Sequence, residues 1–236
     1  MKALAAALCG LLLAAIPSTS ALADTTVGAN GALSCLPFGC DQHAVGGPDG
    51  VGSTYQEVYA SSAFAGTTTF NQIAFFTTMV GNVLDSGQYT FDFSYTTASL
   101  GGLSFTSPTA NIGSDETLLG SFTLGGAAPA TLSFTGNSFT YDPAMGNLLM
   151  TITMTGVTDA SATPSLLDAF YEEDTTGKVV SALVFCGSSV CTSQYGLVTQ
   201  FNDVAAPTAT PEPSSLFLLG TGAIGMVGAL RRKLLS

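Results

Sequence analysis

From Gln88 to Thr96 every second side chain is aromatic: Tyr89, Phe91, Phe93 and Tyr95 alternate with Gln88, Thr90, Asp92, Ser94 and Thr96. A strand turns successive side chains to opposite faces, so this pattern spells a half-buried β-strand and suits no amphipathic helix. Leu148, Met150, Ile152 and Met154 repeat it against Leu149, Thr151, Thr153 and Thr155. Shorter versions run through Leu118, Phe122 and Leu124, through Leu132 and Phe134, and through Tyr195, Leu197 and Phe201, with Ile73 and Phe75 and then Leu183 and Phe185 completing the apolar set. Turn-forming residues at Asp85-Ser86-Gly87, Gly101-Gly102, Gly125-Gly126, Gly136-Asn137, Asp142-Pro143 and Thr176-Gly177 are read as the breaks between strands. Between residues 24 and 206 no helical period of useful length occurs, and only Pro164 to Tyr171 has room for a single turn. Short strands at this spacing, with Thr and Ser outward, predict an all-β fold: a two-sheet antiparallel sandwich, of which the jelly roll is one form.

The two ends have a different character. Lys2 precedes an uncharged apolar run from Ala3 to Ile16, and Ala21-Leu22-Ala23 sets small residues where a signal peptidase reads them, so cleavage is expected before Asp24. Pro17 and the following Ser-Thr-Ser argue against a buried core helix there. At the other end Leu216 to Leu230 is uncharged and is followed at once by Arg231-Arg232-Lys233. Such a run predicts a short transmembrane helix of roughly 23 Å whose basic end stays in the cytoplasm. Gly220, Gly222, Gly225 and Gly228 would make it a poor helix in water.

Pro211-Glu212-Pro213, the apolar run and then Arg231, Arg232 and Lys233, in that order at the C-terminus, resemble the PEP-CTERM sorting signal. The resemblance covers about 27 residues. It implies a Gram-negative-type bacterium in which exosortase, an integral membrane cysteine transpeptidase, removes the tail near the Pro-Glu-Pro. The domain would pass to the cell surface or extracellular matrix, a setting in which exopolysaccharide is often produced. The organisation expected is therefore a signal peptide (1–23), an extracellular sandwich (24–206), a linker with the motif (207–213) and a transmembrane and basic tail (214–236). Signal peptidase and exosortase are the partners implied during export.

Residues 24–206 carry 15 Asp and Glu against one base, Lys178, a net charge of −14 with His43 neutral. Nucleic acid and anionic membrane surfaces draw on Lys and Arg, so neither is a fitting partner for this body. Neutral polymers and cations remain. Its four cysteines form two matched pairs, Cys35 with Cys40 and Cys186 with Cys191, each spanning four residues. In an exported chain an even count reads as disulfides. Turn-formers inside each pair favour local bridges, the alternative being a staple from the lead-in to the last strands. Residues 24–53 read as an irregular lead-in.

Motifs for chemistry are sparse. His43 is the single histidine and lies before Gly46-Gly47 and Pro48 in loop-like sequence, and no nucleophile elbow, zinc-protease motif or P-loop occurs. Asp92, Asp115, Glu116 and Asp142 are the carboxylates available to a secreted hydrolase, but they are scattered. Calcium is the candidate ligand, with hard oxygens at Asn111, Asp115 and Glu116 and at Glu172, Glu173 and Asp174. Tyr55 and Tyr59, four apart, are a candidate sugar platform in a chain without Trp. The expectation is a non-enzymatic surface or matrix protein associated with exopolysaccharide. Alternatives are a calcium-dependent carbohydrate-binding module and a carboxylate-dependent hydrolase. Non-reducing peptide mapping is expected to link Cys186 to Cys191; a peptide joining Cys35 or Cys40 to either of them would refute local pairing.

Overall fold

A computed structural model describes residues 24–39, 53–104, 107–158, 169–186, 189–193 and 195–203. The strands are β1 (Thr25–Val27), β2 (Ala32–Ser34), β3 (Ser53–Tyr59), β4 (Thr68–Phe76), β5 (Val83–Thr96), β6 (Thr117–Ala127), β7 (Thr131–Tyr141), β8 (Asn147–Thr158), β9 (Tyr171–Asp174), β10 (Val180–Cys186), β11 (Ser189–Ser193), β12 (Gly196–Leu197) and β13 (Thr199–Asp203). They form a four-stranded sheet in the order β1-β13-β4-β7 and a six-stranded sheet in the order β11-β10-β3-β8-β5-β6. A small third sheet runs β12-β9-β2. Every pairing in the three is antiparallel. Among the described residues the only helical pieces are 3₁₀ turns of three or four residues, and no helix is long and apolar enough to cross a membrane. The predicted signal helix, linker, motif and transmembrane tail lie outside the described residues.

The alternating residues do what their period requires. Tyr89, Phe91 and Phe93 on β5 and Leu148, Met150, Ile152 and Met154 on β8 are all fully buried, facing Phe70, Phe75, Phe134 and Phe201 from the four-stranded sheet. Phe91 and Phe134 lie 4.3 Å apart by ring centroids, Phe70 and Phe93 5.0 Å, and Tyr59 and Phe201 5.1 Å. Aromatic pairs at these separations bind the two sheets by more than buried area alone. The outer face departs from simple alternation on one half of the large sheet. There the segment between β5 and β6 folds over it, packing Leu103 against Val58 and Leu149 and burying Gln56, Ser94 and Thr151.

The lead-in is more ordered than its composition suggests. Residues 24–39 supply β1, which pairs with β13, and β2, which pairs with β9. They then place Phe38, wholly buried, among Phe75, Tyr89, Phe91, Phe134 and Tyr171. Three-residue strands carry too few positions to show a period, and a single Phe in a Gly-rich stretch gives no pattern. Gly39 permits this plug because a Cβ there would sit 2.3 Å from the Ala169 carbonyl oxygen.

Three expected breaks are irregularities inside continuous strands. Asp85-Ser86-Gly87 lies within β5, where the registers to β6 and β8 both shift. Gly125-Gly126 belongs to β6. Gly136-Asn137 lies within β7, where the register to β4 jumps between Phe70 opposite Phe139 and Gln72 opposite Thr135. That bulge lets Phe134 and Phe139, an odd number of residues apart, both face the core. On β6 the register slips between Phe91 opposite Gly120 and Asp92 opposite Leu118, so Leu119 is buried and Leu118, expected inside, is 44% exposed. The β6 and β7 bulges meet: Asn137 Nδ2 donates to the Leu118 carbonyl oxygen at 3.1 Å, and a Cβ on Gly136 would lie 2.0 Å from the Leu119 carbonyl oxygen. The substitution Gly136→Ala is therefore expected to cost about 1–3 kcal/mol in chemical denaturation. Gly66→Ala, where a Cβ meets nothing within 4 Å, is the neutral control. Equal midpoints for the two variants would mean that the bulges do not seat against each other.

Candidate functional site

Strand β3 carries the sequence Ser-Thr-Tyr-Gln-Glu-Val-Tyr, and its period of two turns Tyr55, Glu57 and Tyr59 together into the sandwich. Tyr55 is 2% exposed and Tyr59 0%, so they form no open sugar platform. The expectation is corrected by position: β3 lies inside its sheet between β8 and β10, and its inward face meets the opposite sheet. The unforeseen residue is Glu57, fully buried between them. The Tyr55 hydroxyl donates a hydrogen bond to Glu57 Oε2. The Tyr59 hydroxyl shares a 2.9 Å bond with Thr199 Oγ1, which donates to the Leu197 carbonyl oxygen at 3.2 Å. Gly196 presses against the carboxyl so closely that a Cβ would stand 3.1 Å from Glu57 Oε1 and 2.6 Å from Val180 Cγ2.

Burial pushes the Glu57 carboxyl from its ordinary 4.5 to about 8, while the hydrogen bond from Tyr55 and the nearby polar groups of the Leu197 backbone and Tyr59 oppose the rise and the Glu173 charge adds to it. At neutral pH it is a protonated, uncharged acid. Sequence reasoning passed over it because Tyr-x-Glu-x-Tyr also spells an outward polar edge; only the burial of the flanking tyrosines decides the face.

The other sequence candidates are dispersed. Asn111 is buried and occupied: its Nδ2 donates to Gln56 Oε1 at 2.8 Å and to the Ser104 carbonyl oxygen at 3.1 Å, and its Oδ1 accepts from the Ser104 amide at 2.7 Å. Both oxygens of Asp115 accept from the Tyr95 amide. Glu116 is exposed, its carboxyl raised by partial burial and by the charge of Asp92. On β9 Asp174 accepts from the Ala29 amide at 3.2 Å and the Thr176 amide at 2.6 Å, tying the turn between β1 and β2 to the third sheet. Glu172 and Glu173 are half-buried beside it. No group of three or more His, Cys, Asp or Glu able to hold a metal gathers among the described residues. Asp142 caps a 3₁₀ turn by accepting from the Ala144 amide at 3.0 Å.

Cys35 is disulfide-bonded, and the Phe38 and Gly39 amides fold back to its carbonyl oxygen at 3.0 and 2.7 Å. Strands β10 and β11 form a hairpin that sets Cys186 opposite Ser189 and Cys191 opposite Val184. His43, Cys40 and the side chains of Cys186 and Cys191 lie outside the described residues.

A sandwich whose most unusual acid is sealed in its core offers no open catalytic cleft at that acid, and the functional signal lies after the fold. Residues 209–233 match the PEP-CTERM protein-sorting motif. No curated protein and no solved structure matches the chain. Fold and motif together define an exported protein that carries its own sorting address. The chain carries a PEP-CTERM protein-sorting motif, the signal of an exosortase substrate, behind its β-sandwich body.

The buried carboxyl has a measurable consequence. Between about pH 4.5 and 8 the folded chain holds a proton at Glu57 that the unfolded chain has released, so stability is highest at the acid end, falls as pH rises through this window and levels off above it. Asp92, Glu116 and Glu173, also raised by partial burial, add weaker slopes of the same sign. Glu57→Gln keeps an acceptor for Tyr55 and carries no proton to lose. Denaturation from pH 5 to 9 is expected to show a decline of a few kcal/mol in the parent that the variant largely lacks. Parallel curves would place Glu57 in contact with water.

Proposed function

We propose that this protein is a non-enzymatic component of the cell surface or extracellular matrix, delivered by exosortase and associated there with exopolysaccharide. The observation that carries the reading is the sorting motif at residues 209–233 following a sandwich whose buried acid is neutral and enclosed. In this reading residues 1–23 are removed by signal peptidase and residues 24–206 are the exported body. The linker at 207–213 presents Pro211-Glu212-Pro213 to the transpeptidase, and residues 214–236 hold the chain in the inner membrane until cleavage. Arg231, Arg232 and Lys233 keep the tail's end in the cytoplasm. The acidity of the body serves solubility in an environment without reducing thiols.

Several acids are engaged within the fold. Asp115, Asp142 and Asp174 cap backbone amides, and Glu57 is sealed by aromatic side chains. Such carboxylates serve the body's own architecture, which supports a structural or interaction role over hydrolysis. Mass analysis of the extracellular fraction is expected to find a chain that begins at Asp24 and ends before Ser214. A mature surface form still bearing Arg231 to Lys233 would overturn exosortase release and leave a membrane-anchored protein.

A further inference from the structure

The six-stranded sheet presents an outward face lined by hydroxyl and amide side chains. Its registers place Thr155, Gln88 and Thr123 side by side across β8, β5 and β6, and beside them Thr54, Thr153, Thr90 and Ser121 across β3, β8, β5 and β6. Gln88, Ser121, Thr123 and Thr155 are exposed, and Thr54, Thr90 and Thr153 are half-buried. The side chains are tied to one another: Thr90 Oγ1 and Ser121 Oγ lie 2.7 Å apart, and Gln88 Nε2 donates to Ser121 Oγ at 2.9 Å. The next row, Gln56, Thr151 and Asp92, begins the part of the sheet that the segment after β5 covers, with the Gln56 Nε2 donating to the Pro108 carbonyl oxygen at 3.1 Å. What stays open is a patch of seven hydroxyl and amide side chains without a charge, on a body of net charge −14.

Resting on the polysaccharide reading above, we propose that this open hydroxyl face is the docking surface for a neutral polysaccharide. Each Thr and Ser hydroxyl both donates and accepts, as sugar hydroxyls do, so the two surfaces pair group for group with no ion to desolvate. Fixed side chains lose little freedom on binding. Asp92 stands at the margin, with Glu116 close enough to feel its charge, and an anionic polymer is repelled there. Each contact is weak because the face offers no exposed aromatic ring, and retention comes from many repeats of a long chain meeting many copies of the protein.

The outer face of the four-stranded sheet supplies the comparison on the opposite side of the sandwich: Thr135 and Thr140 of β7 are exposed there, Thr135 accepting from Gln72 Nε2 at 2.7 Å and Thr140 sharing a 2.9 Å bond with Thr69. Mature protein purified from the extracellular fraction is run in native gels containing hydroxyethylcellulose, the source bacterium's own purified extracellular polysaccharide, or alginate as a polyuronate. The parent is expected to be retarded by a neutral polymer and not by alginate. The T123E/T155E double variant is expected to bind at least about tenfold more weakly, and T135E/T140E, with the same added charge, as the parent does. Thermal melting of each variant establishes that it is folded, and T123V/T155V removes the hydroxyls without adding charge, so a loss there assigns the effect to hydrogen bonding. Retardation of T123E/T155E equal to the parent would overturn this face while leaving the polysaccharide reading in place. A parent retarded by none of the polymers would overturn both, and preferential retardation by alginate would overturn the neutral partner.

Discussion

The aromatic layer between the two large sheets is the constraint on which the rest of the structure depends. Phe38 stands at one end of it in contact with five rings, and Phe70, Phe93 and Phe201 meet at the other. These large, rigid side chains set the spacing of the sheets, and the bulge on β7 follows from it. A strand that must present rings inward at both of its ends, separated by an odd number of residues, has to insert or skip one. Glycine appears where such a bulge brings one backbone against another, as at Gly136.

The same layer explains how an acid survives inside the fold. Tyr55 and Tyr59 bracket Glu57 with apolar ring surface while turning a hydroxyl toward polar groups. An uncharged carboxyl in that setting is a hydrogen-bonding side chain of moderate cost, whereas the ionised form would be among the most expensive groups a core can hold. The cluster joins β3 to Gly196, Leu197 and Thr199, and so fastens a central strand to the short elements that lead into β13.

Strand existence was legible wherever the period ran for five or more residues: β5 and β8 lie where Tyr89 to Tyr95 and Leu148 to Met154 placed them. The sandwich followed from those. Phe38 was invisible because one ring in a turn has no period, and Leu119 because a bulge moves the inward position by one. Tyr55 and Tyr59 were readable as partners on one face, but alternation cannot say which face is inside when the residue between them is an acid. The sorting motif was fully legible, since linear order is what its reader recognises. The hydroxyl face was half legible: threonines at alternate positions could be counted on each strand, yet their alignment across β3, β8, β5 and β6 depends on registers that only the folded sheet fixes.

Strand β13 lies between β1 and β4, so the smaller large sheet is a single surface only when residues 199–203 are in place. Its Asn202 side chain reaches Asp24 Oδ2 at 3.2 Å, closing the ends of the body on each other across nearly its whole length. A chain that leaves the cytoplasm N-terminus first therefore cannot complete this sheet in transit. Its opening strand has no sheet partner until the last one has emerged.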